Sequence, residues 1–578
     1  MLKKIALIGF VFIISFKFTV AQSKYTLCIL NSITNNDIRN IKPYKTSFND
    51  TLQRYKELNE LILKFWKDEY ITTTIDSIIS DSFNLTAYIN IGNKYKYLLI
   101  KDSNNQIPIT NKGIFKHNQV NNCYSNYVYI QNQINFSLLY YENNGYPFAT
   151  IQFDSIVISD SSFTGTLVIN KNKQYIIDSI IVKGSAFASS NYIQKFVGIK
   201  SKTLYNEAQN RNISKKIKEI DFFKETKPME IEFFENKANI LLFVDKIKAN
   251  QFDGIIGIMP NDKNNRFVIT GDIKFMLLNS FNKGELLAFR WHKFDKLSQD
   301  LKITTSYPFL LSSPFGVDLE YYLYKKDTSY ITNKGKIGFK YIFEGNNHLK
   351  AFYEKQNTTL LFKLNNNDST FSNYNSSNIN IYGLGFRKQK LNNMMNPRKG
   401  YIIDIIASAG NKEIKINKDL PNIIYNDIKL KSTIYIYDAD ISFFIPTFSR
   451  SCIYLSAKSA SIFNDYLFDN DLFRTGGLKT LRGFDEESIQ ASFYTILTAE
   501  YRYLYDEYSY LNIFWNGCHY EKNTLKSYHT GNPFGFGVGI NFKTKLGVFS
   551  VNYALGKQDK EPIYPKRAKI HFGIINYF

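Results

Sequence analysis

Cysteine is scarce: four residues in 578, far too few for a disulfide scaffold. Proline (13) and tryptophan (3) are sparse as well. Long apolar runs are missing. The longest is Ile5–Phe16, and nothing after it approaches the ~18 consecutive apolar residues of a membrane-crossing helix. None of the six histidines, His117, His292, His348, His519, His529 and His571, stands at metal-ligand spacing from a cysteine or another histidine. No Gly-x-Ser-x-Gly elbow, phosphate loop or His-Glu-x-x-His motif occurs. No catalytic residue, metal site or cofactor is therefore expected, and Cys452 and Cys518 read as buried thiols on strands.

Aromatic residues are plentiful, with 48 Phe and 42 Tyr, and the 44% apolar content excludes a wholly disordered chain. The formal charge of +21 invites a nucleic-acid reading. It is thinly spread, however: +3 over residues 1–21, +7 over 22–248 and +11 over 249–578. No basic patch emerges, so nucleic acid is not an expected partner. Lys3 and Lys4 precede the apolar run, and Thr19-Val20-Ala21 follows it. That is the three-part pattern of a secretory signal peptide ending at residue 21, and it predicts export.

The next stretch repeats itself. Ile75-Asp76-Ser77-Ile78 recurs as Phe153-Asp154-Ser155-Ile156, and Tyr97 and Tyr175 share the offset of 78. A helical stretch precedes each copy (51–69 and 134–143), and a strand-like stretch follows (85–91 and 163–170). A third unit has a strand at 175–182, helices at 189–196 and 207–220, and strands at 229–234 and 240–244. The spacing predicts three small α/β modules at 22–93, 94–172 and 173–248, since a period this long means separate domains rather than a solenoid.

From Ala249 onward, alternating stretches recur between Asn, Gly, Lys and Asp turns. Sixteen strands are expected: 250–262, 265–281, 284–294, 299–311, 315–327, 329–343, 347–359, 378–391, 400–413, 431–446, 449–463, 490–505, 509–521, 533–544, 545–557 and 568–578. The count is even, and the long connections all follow odd strands. A transmembrane barrel with short turns on one side and long loops on the other has both properties; a soluble sandwich requires neither. The fold class is thus α+β modules followed by an all-β, sixteen-stranded antiparallel transmembrane barrel over 249–578. In strand 12, Phe493, Leu497, Ala499, Tyr501 and Tyr503 point toward lipid, and Tyr494, Thr498, Glu500 and Arg502 toward the lumen. In strand 13, Leu511, Ile513 and Trp515 face lipid, and Asn512, Asn516 and Cys518 face inward.

The loop between strands 11 and 12 carries Arg474-Thr475-Gly476-Gly477-Leu478-Lys479-Thr480-Leu481-Arg482-Gly483-Phe484. This motif, at this place in sixteen strands, resembles the outer-membrane assembly superfamily of BamA and TamA. Asn396-Pro397-Arg398-Lys399-Gly400, Ala499-Glu500-Tyr501-Arg502 and the glycines of 535–539 resemble other segments of that family. C-terminal Phe578 resembles its β-signal. The resemblance implies periplasmic POTRA modules, three of which look more like TamA than BamA. It also implies a loop tip (Gly476, Gly477, Leu481, Arg482, Gly483, Phe484) folded into the lumen against Glu500, Asn516 and Arg502. Asn516 departs from the family, which usually has Asp there, and leaves Glu500 as the main anionic partner.

The resemblance further implies a bacterial outer-membrane factor that inserts or translocates unfolded client proteins. Clients would be received by the modules and released through the seam between strands 1 and 16. Gly254, Gly257 and Gly573 lie in those strands and weaken them. Expected partners are clients and the lipid bilayer, with an inner-membrane or periplasmic partner of the modules left open. A two-partner-type secretion pore and a passive porin or surface protein are the alternatives.

Overall fold

The computed structural model describes residues 25–577 except 96, 103–122, 126, 160–161, 261–266, 294–296, 362–372, 395, 417–424, 426–427, 507–508, 545–546, 559–561 and 564. The expected signal segment 1–21 and Phe578 lie outside the described residues. No described helix is long and apolar enough to cross a membrane. The chain divides into two compact units: the first two sheets form one, and the third sheet joins the large C-terminal sheet in the other.

The first sheet runs in the order Ser47–Phe48, Tyr25–Asn31, Asn84–Asn90, Thr74–Ser80. Its two central strands are parallel, so the chain must cross over between them, and helix Thr51–Lys67 makes the crossing. Asp50 starts that helix by accepting from Leu52 N–H at 3.1 Å. Leu58, Leu61, Ile62 and Phe65 recur at helical spacing and bury themselves on Leu27, Ile29, Leu85 and Ile89. The second sheet repeats the plan with Cys123–Ser125, Tyr97–Asp102, Ser162–Asn170 and Thr150–Ile158, crossed by helix Tyr127–Asn143. That helix starts seven residues before the expected 134.

The repeated tetrapeptide falls on the outer strand of each of these two sheets. In both, the register breaks within the repeat, between Ile75 and Ser77 and between Asp154 and Val157. The repeat therefore marks a bulge, one extra residue that twists an otherwise open edge.

In the second unit, strands Phe223–Phe234, Lys237–Lys246 and Ile176–Lys183 lie beneath helices Ser190–Val197 and Glu207–Ile217. The outer strand begins at Phe223, six residues before the expected 229. Ile193, Phe196, Ile213, Ile240 and Val244 form the core, and Leu278, at the end of a strand of the large sheet, and Phe309, on one of its turns, pack onto it. Gly345 N–H donates to the Phe196 carbonyl at 3.2 Å. The third module is thus seated on turns of the large sheet.

Among the described residues the large sheet has seventeen strands, each antiparallel to its neighbours. Sixteen are the expected ones, from strand 1 (Gln251–Pro260) to strand 16 (Lys569–Tyr577). The additional one, Tyr528–Gly531, pairs with strand 13 (Tyr510–Asn523) just beyond strand 14 (Phe534–Thr544). The two pieces are one strand interrupted at Pro533, which has no amide hydrogen to donate. Strand 4 (Gln299–Tyr307) stops short of the expected 311 because Pro308 follows, and Phe309, Leu311 and Ser312 turn to φ of 52°, 48° and 65°. Strand 12 (Phe493–Leu504) starts later than expected: Ile489–Ala491 pairs instead with Phe473–Thr475 inside the preceding loop. The faces alternate as expected. Leu497, Tyr501, Leu511, Ile513 and Trp515 are exposed outward, and Glu500, Asn512, Asn516 and Cys518 are buried.

The two ends of the sheet meet at only two residue pairs, Gln251 with Tyr577 and Phe252 with Asn576. Strands 1 and 2 share ten pairs, and strand 15 (Gly547–Lys557) shares seven with strand 16. The expected seam between strands 1 and 16 is thus present, and short, among the described residues. Gly254 and Gly257 pair only with strand 2, and offer no side chain to pack across the gap.

Candidate functional site

The connection between strand 11 (Ser451–Phe463) and strand 12 enters the barrel and is fastened in stages. At its base, Asp471 pairs with Lys412 of strand 9 (Gly400–Ile414), and both side chains are almost wholly buried. Lys412 Nζ also donates to the Tyr466 carbonyl at 2.7 Å. Asn470 exchanges two hydrogen bonds with the backbone of Asn375. Next comes the short hairpin of Phe473–Thr475 with Ile489–Ala491. From it Arg474 reaches across to the Tyr330 hydroxyl and lies 4.1 Å over the Tyr324 ring.

Beyond the hairpin the backbone turns tightly. Gly476, Gly477 and Gly483 hold φ of 120°, 97° and 97°, which only glycine adopts easily. Gly477 N–H donates to the Leu481 carbonyl at 3.1 Å, and Leu478 N–H to Glu486 at 2.9 Å. Leu481 is fully buried among Ala460, Ile489, Tyr494, Ile496 and Tyr520, with Phe484 against the same group.

Arg482 is the charged point of the tip, only 8% exposed. Its Nη2 donates to Glu500 Oε2 at 3.0 Å and its Nε to Asn516 Oδ1 at 3.0 Å. The guanidinium also lies 3.5 Å over the Phe514 ring. Glu500, itself 4% exposed, is shared: Arg502 Nε donates to its other oxygen at 2.8 Å. Arg502 in turn lies over Tyr454 and Tyr510. Asn516 holds its orientation by donating to Thr498 Oγ1 at 2.7 Å. One carboxylate lies between two guanidiniums, with aromatic faces beneath: each oxygen takes one charge-assisted bond, and the rings and Asn516 share the cations' remaining charge.

The structure thus brings together Arg482, Glu500, Asn516 and Arg502, and Asn516 still accepts from Arg482 although it carries no charge. It also adds groups the sequence did not single out. Phe514 faces Glu500 across the strand pair and supplies the ring under Arg482. Strand 16 touches the tip at alternate residues: Lys569 pairs with Asp485 at 2.8 Å, and His571 Nε2 accepts from Gly483 N–H at 3.1 Å. Gly573 belongs to this face too, for a Cβ there would stand 3.3 Å from Leu478. It is a loop contact, not an element of the seam ladder. The glycines of strand 14 also have a local cause: a Cβ on Gly535 would overlap the Arg482 carbonyl oxygen.

A polar cavity of about 250 Å³ lies beside the tip, lined by Arg482, Arg502, Tyr510, Asn512, Asn541 and Asn552. Among the described residues no cluster of His, Cys, Asp and Glu could hold a metal ion, and Cys452 and Cys518 are free and buried.

Comparison with known proteins places this architecture. CdiB from Acinetobacter baumannii and CdiB from Escherichia coli are each 13% identical, cover 91% of this chain and 97% of their own, and superpose with a TM-score of 0.51. BamA from Haemophilus ducreyi lacking POTRA domains 1–3 is 12% identical over 84% of this chain and 100% of its own, with a TM-score of 0.42. No curated protein sequence matches. At this identity the two CdiB structures speak for the fold alone. The family profile described as Omp85 superfamily domain matches residues 279–578, just over half the chain, and spans the loop and the wall that holds it. The chain is a member of the Omp85 superfamily.

Proposed function

We propose that this protein inserts client proteins into, or moves them across, the bacterial outer membrane, with its three N-terminal modules in the periplasm. The observation that carries the reading is the seam. Two residue pairs close a sheet whose other neighbouring strands share far longer ladders, and the edges left over are unpaired backbone that an extended client segment can join. The short turns on the module side and the long connections on the far side support the orientation. The outer strands of the first two sheets are further open edges, with Ile78, Ile79, Ile156 and Val157 exposed on them.

The test is depletion followed by outer-membrane proteomics, with complementation by a seam-locked variant. Continuing the register of the two existing pairs sets Gly254 opposite Ile574, so Gly254→Cys with Ile574→Cys places the lock. Depletion should lower a set of outer-membrane or secreted proteins, and the oxidised variant should fail to restore them while the reduced one succeeds. Full complementation by the oxidised form would refute the seam route. An unchanged outer-membrane proteome, with unspecific conductance in planar bilayers, would favour a passive pore. Loss of secreted proteins alone would assign secretion.

A further inference from the structure

Four large apolar side chains stand exposed where the third module meets the turns of the large sheet. Phe281, on the turn between strand 2 (Phe267–Leu278) and strand 3 (Leu286–Lys293), is 76% exposed. Leu310 and Leu311 lie on the turn between strand 4 and strand 5 (Phe315–Lys326), and Leu311 is 92% exposed. Phe187 is exposed on the module itself, at the head of the short turn Phe187–Ser189. Hydrogen bonds gather these segments. Asn279 Nδ2 donates to Ser189 Oγ at 3.2 Å, Asn191 Nδ2 to Ser312 Oγ at 3.1 Å, and Lys195 Nζ to the Ser312 carbonyl.

The second turn is strained to achieve this exposure. Phe309, Leu311 and Ser312 all hold positive φ, a region unfavourable for any of the three. Phe309 turns inward, its ring 5.7 Å from that of Tyr192, and the next two residues are thereby thrust outward. In water, a strained turn that presents leucine gains nothing; against an apolar phase it gains burial. The patch is also continuous with the outward face of the sheet. Leu287 follows Phe281 in strand 3, and Phe315 follows Leu311 in strand 5, both exposed. Phe315 pairs with Tyr341 across to strand 6 (Tyr330–Glu344), and Tyr341 and Phe343 are exposed there too.

We propose that Phe187, Phe281, Leu310 and Leu311 enter the phospholipid leaflet on the module side, fixing the third module at the membrane surface. The inference rests on the reading of the sheet as bilayer-spanning, and the test separates the two. A nitroxide is placed at Leu311→Cys, in full-length protein with Cys28→Ser and Cys123→Ser, reconstituted into phosphatidylethanolamine–phosphatidylglycerol vesicles. Its collision rates with oxygen and with a neutral nickel chelate are compared. Ile513→Cys, outward on strand 13, reports the bilayer; Ile33→Cys, exposed on the first module, reports water. The oxygen-to-nickel ratio at 311 should exceed that at 33 several-fold.

A ratio at 311 equal to that at 33, with 513 lipid-like, overturns the proposal alone. A water-like 513 overturns the spanning reading and this inference with it. Shielding at 311 that disappears on diluting the protein in the vesicles assigns a second copy and also overturns it. As a second arm, Leu311→Asn keeps a residue that tolerates the left-handed turn but removes the apolar side chain. A label at Phe281→Cys should then shift toward water, and no shift would count against a shared lipid contact.

Discussion

Glu500 is one negative charge shared by two arginines, so its loss and the loss of Arg482 are not equivalent. Arg482→Met removes the 3.0 Å bonds to Glu500 and Asn516 and the contact with Phe514, but Glu500 keeps Arg502. Glu500→Gln leaves two guanidiniums, one of the loop and one of the wall, without their anion. Removing one partner of a buried pair costs about 3–5 kcal/mol, because the remaining charge stays desolvated. The retained Arg502 puts Arg482→Met near the lower end, at about 3 kcal/mol, and Glu500→Gln at about 5 kcal/mol.

Because both remove the same contact, the double variant should fall short of their sum by about 1.5–3 kcal/mol. The assay is local: hydrogen exchange and limited proteolysis across 474–484 in detergent, with cold-gel migration confirming that the barrel is intact. Equal costs for the two single variants, or additivity within ~0.5 kcal/mol, would refute the shared-carboxylate account. A charge swap between 482 and 500 is a poorer test, since the new cation at 500 would face Arg502.

Gly535→Ala should release the same loop, because its Cβ would overlap the Arg482 carbonyl; Gly335→Ala, with nothing within 4 Å, is the matched control and should leave proteolysis of the loop unchanged. Lys412→Met should loosen the loop base by about 3–5 kcal/mol by stranding Asp471, and adding Asp471→Leu should recover most of it in the same exchange assay. Burial, with Glu344 adding to it, pushes the Glu219 carboxyl of the third module up from 4.5 to about 7. The fold therefore favours the protonated form: this stability is complete below about pH 4.5 and is lost as pH rises through about 7. Glu219→Gln should flatten that decline in unfolding measured at pH 5 and pH 8, and an identical decline in both proteins would sink the assignment.

Period-two patterning was enough to count the strands and sort their faces, since outward Leu511, Ile513 and Trp515 alternate with inward Asn512 and Asn516. It could also put Glu500 on the wall that Arg482 meets. It could not show what lies beneath the guanidinium, because Phe514 reads in sequence like any other barrel aromatic. The contacts of Gly483 with His571 and of Lys412 with Asp471 join residues 88 and 59 positions apart, a separation at which local pattern carries no signal. The shortness of the seam was hidden for a related reason: alternation runs on through both end strands, and it specifies faces rather than partners. The early end of strand 4 was legible in Pro308, whose ring disfavours a continuing ladder.

In the large sheet every pairing but the one between the two end strands joins neighbours along the sheet's chain order. Such a sheet can zip up one hairpin at a time, each step closing a loop that is short beside the whole sheet and adding little to the contact order. The contact that makes it a ring joins residues 326 positions apart, Gln251 and Tyr577, and is also its shortest ladder. Loop-closure entropy therefore makes ring closure the expected last step of the sheet's folding and the first to reverse. On the proposed function, parting this one short ladder would leave every hairpin ladder of the sheet intact.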